Sequence, residues 1–139
     1  MSAEPIHPEE LPCALARGGW VIDIRPQAER TCDGALMGAL AIERQLLIAR
    51  LDPCSDARLS WARDPQLEWV IMCSSGADSA AAARSLRGLG LSRATSLSGG
   101  YHGLRSARML DVADGAAHVE YGVVAAVGGI VPVRALTTC

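Results

Sequence analysis

The sequence predicts an α/β domain, a parallel central sheet with helices on both faces. Two observations carry that expectation. Half of the 139 residues are apolar and 20% are charged, a balance that supports one buried core and argues against disorder. Runs of β-formers at 20–24, 67–72 and 94–97 alternate with stretches of helical pattern, and strands separated in this way pair in parallel through crossovers.

Over 6–18, Pro5 and Pro8 precede apolar Leu11, Ala14 and Leu15, and Gly18-Gly19 follow, which reads as a short helix closed by a glycine C-cap. Trp20 to Ile24 reads as a buried strand. Pro26 then opens a helical turn through Glu29 and Arg30, where its missing N–H is harmless. Between Gly34 and Ile42, two glycines four apart suggest a close approach of backbones before a second short strand. Glu43 to Leu51 has apolar residues at 46, 47, 48 and 51, a helix that Pro53 stops. Asp52 to Gln66 is polar and holds two prolines, so it reads as an irregular connection with Trp61 as its anchor.

Leu67 to Met72 is the clearest buried strand. Ser79 to Gly90, rich in Ala, Leu and Arg and ending in Gly, is the clearest helix. Ala94 to Leu97 forms a short strand, and Gly99-Gly100 turns into a short helix reaching about Ala107. The expected organisation is one domain over 1–108, with its core about 10–107, and an extension over 109–139. For Val119 to Val133 the sequence leaves open an added edge strand or hairpin, or an apolar tail packed on the domain or on a second copy.

Composition removes several classes of function. A net charge of −2 provides no field to gather polyanions, so neither nucleic acid nor a membrane is an expected partner. All thirteen basic residues are Arg, which excludes lysine Schiff-base chemistry. The first ten residues carry acidic side chains and no apolar run, so no secretory signal is read and a cytoplasmic location is expected. The apolar stretch Gly122 to Val133 is broken by Gly and Pro and is shorter than the about 20 residues a bilayer requires. Five cysteines at irregular spacing, without C-x-x-C pairs, point to free thiols in a reducing compartment rather than to a metal centre. No metal or organic cofactor is expected.

One element concentrates the chemistry. Cys73 stands at the carboxyl end of a buried strand, before a loop of small residues and a helix, where open α/β sheets bind ligands. The helix dipole, the unpaired N–H groups of its first turn and the amides of the loop all favour negative charge at that point. Thiol pKa values fall from about 8.5 to between roughly 3.5 and 7.5 in such surroundings, and a thiolate is a nucleophile. Ser74, Ser75, Gly76 and Ala77 are small enough to let amides approach a sulfur or an oxyanion, and Ser75 and Ser79 add hydroxyl donors. The alternative is a buried cysteine that only packs.

Several stretches then resemble a known family in order and spacing. These are Val21-Ile-Asp-Ile-Arg25 followed by Glu29, Gly34-Ala-Leu-Met-Gly-Ala39, Cys73-Ser-Ser-Gly-Ala-Asp-Ser79, Leu89-Gly90 and Leu97-Ser-Gly-Gly100. Over roughly 10–107 the chain resembles the single-domain rhodanese-like proteins. The resemblance implies a rhodanese-like parallel central sheet and a sulfurtransferase. In such an enzyme the loop cysteine, matched here by Cys73, takes a sulfane sulfur from a donor such as thiosulfate or a persulfide. It then passes the sulfur to cyanide or another thiophilic acceptor, a protein thiol among them. The family's Gly-His-Ile-Pro-Gly-Ala keeps both glycines here but loses the His and the Pro, and Leu104 replaces a Trp.

Substrate-binding residues expected are Ser74, Ser75, Gly76, Ala77, Asp78 and Ser79; Arg44, just after the second strand, either reaches the same edge to supply positive charge or stands solvated at the start of its helix. Asp78 stands where many active members carry Arg or a hydroxyl residue. It reads as the N-cap of the following helix, and its carboxylate opposes negative charge on the sulfur and repels an anionic donor. Related phosphatases and arsenate reductases need an Arg six positions after the cysteine. That position is Ser79, which disfavours phosphatase chemistry. Asp23, Arg25 and Glu29 read as a charge cluster fixing the first loop, His102 as a surface residue with a place lining the pocket as the alternative, and Cys139 as a candidate internal sulfur acceptor. The rival functions are a catalytically weak binding or regulatory module and a cysteine redox sensor.

Overall fold

The computed structural model describes residues 4–113. A 3-10 turn over Pro8–Glu10 leads into α1 (Leu11–Ala16), followed by β1 (Trp20–Asp23), α2 (Gln27–Asp33) and β2 (Leu40–Ala41). A second 3-10 turn, Arg44–Leu46, opens α3 (Leu47–Leu51). Then come β3 (Trp69–Met72), α4 (Ala77–Gly88), β4 (Ala94–Ser96) and α5 (Gly100–Ser106). The expected α/β order is present, with a long irregular stretch between α3 and β3. Of the extension expected over 109–139, residues 114–139 lie outside the described residues, and with them the alternatives for Val119 to Val133 and the candidate acceptor Cys139.

The four strands form one parallel sheet in the order β2-β1-β3-β4. Val21 pairs with Val70 and Ile22 with Ile71 across the central pair. Because side chains alternate across a strand, Ile22 and Ile71 face one way and Val21 and Val70 the other, each into its own apolar layer. The first layer adds Leu47 and Leu51 of α3 and Ala82, Ala83 and Leu86 of α4. The second adds Leu11, Ala14 and Leu15 of α1 and Tyr101 and Leu104 of α5. Each fully buried aliphatic side chain contributes about 1.5–3 kcal/mol of transfer free energy, so the two layers fix which helix covers which face.

Trp61 anchors the irregular stretch as expected. Its ring stands edge-on between Trp20, at 5.1 Å, and Trp69, at 6.4 Å. The residues after α5 close over the second layer, with Ala113 buried and Met109, Leu110 and Val112 packed beside it. At the amino end of β3, Glu68 binds Arg17 at 2.8 Å and Arg93 at 3.0 Å. The hydrogen bond and the charge of Glu68 hold the Arg17 guanidinium above its ordinary range.

The strand order positions the site. From β1 the chain passes to β2 on one side, and from β3 it passes to β4 on the other. A crevice therefore opens beyond the carboxyl ends of β1 and β3, the switch point at which sheets of this kind receive ligands.

Candidate functional site

Cys73 follows β3 directly, and its side chain is buried at 6% exposure. Its sulfur accepts the Gly76 N–H at 3.0 Å and the Ser79 N–H at 3.4 Å. The thiol also lies 3.4 Å from Ser79 Oγ, which donates to the Gly76 carbonyl at 3.1 Å. Ser79 is wholly buried, and its oxygen accepts from the Cys73 thiol while its proton goes to the Gly76 carbonyl. Two amides thus point at a single sulfur, and the hydroxyl of Ser79 ties the thiol to the first turn of the helix.

The loop geometry departs from expectation at one point. The helix begins at Ala77, two residues earlier than the composition suggests, and its N-cap is Gly76, with φ of 109°. Asp78 is therefore not the cap; it sits in the first turn and makes no capping hydrogen bond. The left-handed turn at Gly76, open to glycine and strained for other residues, bends the chain tightly enough for the sulfur itself to accept first-turn amides. Asp78 instead pairs with Arg44, Oδ1 to Nη1 at 3.2 Å, both side chains largely in solvent.

The amino end of α5 braces the loop from behind. Tyr101 N–H donates to the Cys73 carbonyl at 2.8 Å and His102 N–H to the Ser74 carbonyl at 3.1 Å. A Cβ on Gly100 would stand 2.2 Å from the Cys73 carbonyl oxygen; only glycine permits this approach.

In front of the sulfur lies a hollow of about 420 Å³, lined by Ile24, Arg25, Pro26, Glu29, Asp33, Cys73, Ser74, Ser75, Asp78 and His102. A second hollow of about 410 Å³ shares Ile24, Pro26 and Asp78 with the first and adds Gln27, Glu43, Arg44 and Gln45. Of the residues expected from sequence, Ser74, Ser75 and Asp78 line the first hollow. Gly76 and Ser79 contact the sulfur, Ala77 opens the helix behind it, and Arg44 stands in the adjoining hollow.

The charge cluster at the end of β1 divides. Asp23 and Arg25 form a buried pair, Arg25 Nη2 to Asp23 Oδ2 at 2.8 Å and Nε to Oδ1 at 3.0 Å. Arg25 also donates to the Gly34 carbonyl at 2.9 Å and lays its guanidinium 3.9 Å from the centre of the Tyr101 ring. Glu29 stands apart from that pair and accepts the hydroxyl of Ser74. His102 lines the hollow as well as reaching solvent, with Nε2 3.8 Å from Asp33. Asp33 carries no local sequence signal for this position; it arrives there because Tyr101 Oη binds its carbonyl at 2.8 Å and fixes the end of α2.

Among the described residues, no group of three or more His, Cys, Asp or Glu is arranged to hold a metal ion. No helix among them is long and apolar enough to cross a membrane.

Comparison with solved structures places this geometry among known folds. A protein of unknown function from Rhodopseudomonas palustris CGA009, described as a possible tyrosine phosphatase, superposes with a TM-score of 0.67. The two are 25% identical, over 76% of this chain and 81% of that one. The human single-domain sulfurtransferase TSTD1 superposes with a TM-score of 0.61 at 24% identity, over 76% of this chain and 97% of its own. The rhodanese homolog TT1651 from the extremely thermophilic bacterium Thermus thermophilus gives a TM-score of 0.52 at 25% identity, over 72% and 99%. No curated protein matches the sequence. The Rhodanese-like domain family matches residues 7–107, the span that holds every element of the sheet and the cysteine loop, and the chain belongs to that family.

Proposed function

We propose that the protein is a sulfurtransferase in which Cys73 is the catalytic nucleophile. The observation that carries this reading is the sulfur of Cys73 facing two backbone amides at the edge of an open hollow. The thiolate attacks the sulfane sulfur of a donor such as thiosulfate or a persulfide. The bond from that sulfur to the rest of the donor breaks, sulfite or a thiolate leaves, and Cys73 carries a persulfide. The amides that face the resting sulfur stabilise the charge as it moves outward. An acceptor thiolate or cyanide then removes the outer sulfur and restores Cys73. The free thiols of Cys13, Cys32, Cys54 and Cys73 suit a reducing, cytoplasmic setting.

Phosphoryl transfer is the weaker reading. Its oxyanion needs an unengaged guanidinium above the cysteine. Position 79 is serine, and Arg25, the arginine lining the hollow, has its charge taken up by Asp23. The exposed carboxylate of Asp78 at the mouth favours a different second reading, a weakened binding module.

Mass spectrometry after incubation with thiosulfate or a small persulfide distinguishes them. The enzyme gains about 32 mass units on Cys73 for each sulfur taken, as persulfidation requires, and the Cys73→Ser variant gains none. A Cys73 that stays unmodified with every donor supports the module, and one that reacts faster with peroxide than with sulfur donors supports a redox sensor.

A further inference from the structure

The electrostatics of the hollow narrow the donor. Glu29, Asp33 and Asp78 line the space in front of Cys73, and Glu43 lines the hollow beside it. Against these four carboxylates stand two arginines. Arg25 is bound two-fold to Asp23 and buried at 1% exposure. Arg44 is already paired with Asp78. His102 stands against Asp33 rather than over the sulfur. A doubly charged anion approaching Cys73 therefore meets an excess of negative charge from Glu29, Asp33 and Glu43, with no cation left to receive it among the lining residues.

The shape argues in the same direction. Each hollow alone falls in the size range that takes a drug-sized ligand, about 300–1,000 Å³. The two adjoin at Ile24, Pro26 and Asp78, and together they make a trough that reaches from Cys73 past Asp78 to Glu43 and Gln45. A thiosulfate ion fills a small part of it. An extended polypeptide segment has the length to span both hollows and to set basic side chains opposite Glu29, Asp33 and Glu43.

From these two features we infer that the sulfur donor is a persulfide carried by a cysteine in a basic polypeptide segment, which lies along the trough with its persulfide over Cys73. This rests on the sulfurtransferase reading and adds the identity of the donor class. In the step, the Cys73 thiolate attacks the outer sulfur of the donor's S–SH group. The S–S bond within the donor breaks as the Cys73–S bond forms, and the donor leaves as a thiolate. The proton stays on the transferred sulfur until the medium takes it, and no external oxidant or reductant enters.

The test measures the rate at which the intact protein acquires sulfur on Cys73, by quenched mass spectrometry. The donors are persulfides of two synthetic peptides, identical except that arginines flank the cysteine in one and glutamates in the other, and thiosulfate. The arginine peptide should react at least about tenfold faster than the glutamate peptide, within the range that electrostatic steering provides. It should also outpace thiosulfate. The advantage should collapse in about 1 M salt, where charges are screened within about 3 Å, and in the triple variant Glu29→Gln, Asp33→Asn, Glu43→Gln. Equal rates for the two peptides, or a preference for glutamate or thiosulfate, overturn the donor assignment while leaving the sulfurtransferase intact. Failure of all three donors to modify Cys73 overturns the sulfurtransferase itself, and the donor assignment with it.

Discussion

Gly100 and Cys73 touch backbone to backbone: a single added carbon on Gly100 would come within 2.2 Å of the Cys73 carbonyl oxygen and 2.7 Å of the Ser74 carbonyl oxygen. The contact lets α5 supply the amides of Tyr101 and His102 to the loop that carries Cys73. Replacing Gly100 by Ala must move one backbone away from the other and place a side chain at φ of 57°. A loss of about 2–4 kcal/mol is expected from overpacking and left-handed strain together. Urea unfolding measures it, and an unshifted midpoint would show that loop and helix are not in contact.

Ser79→Ala separates the hydroxyl from the amides. The variant keeps both N–H donors to the sulfur but loses the buried Oγ, and it leaves the Gly76 carbonyl without that partner. Stability should fall by about 1 kcal/mol, the usual net value of such a bond. Sulfur uptake by Cys73 should slow several-fold. A variant that loses stability but takes up sulfur at the original rate would assign the hydroxyl to folding alone.

Arg25 is expected to be among the costliest residues to remove. Arg25→Leu leaves the Asp23 carboxylate buried at 2% exposure without its guanidinium and strips a donor from the Gly34 carbonyl. Breaking one half of a buried pair costs about 3–5 kcal/mol. Arg25→Lys should recover only part of it, because an ammonium cannot match the two-fold geometry. Equilibrium unfolding of the two variants side by side provides the comparison.

Asp78→Arg reverses charge at the mouth and removes the partner of Arg44. Persulfide formation from thiosulfate should become about three- to tenfold faster at low salt, since a repelling charge becomes an attracting one. An unchanged or slower rate at low ionic strength would show that Asp78 does not govern approach of the donor.

The order of elements was legible in the sequence because the strands are compact apolar runs and the helices end in glycine or before proline. Cys73, Gly76 and Ser79 were legible as a unit because they are local, held within one strand-loop-helix segment. The start of α4 was not. Aspartate is a good cap, and nothing in the letters says that Gly76 turns left-handed so that Cys73 accepts the amides a cap would take. Glu29 was visible at the end of β1 but read into the wrong group, since its partner Ser74 is 45 residues away. Asp33 and His102 reach the hollow through packing of α2 and α5, which no short-range spacing encodes.

The strand that leads into Cys73 is flanked on both sides, by β1 through Trp20 to Asp23 and by β4 through Ala94 to Ser96. Its amides should be among the slowest in the protein to exchange with deuterium, opening only when the whole molecule unfolds. The Ser74–Ser75 tip should exchange early by comparison. Slow exchange beside an early-opening tip would mean that the sulfur of Cys73 hangs from the least yielding part of the molecule, with a compliant lip around a fixed point.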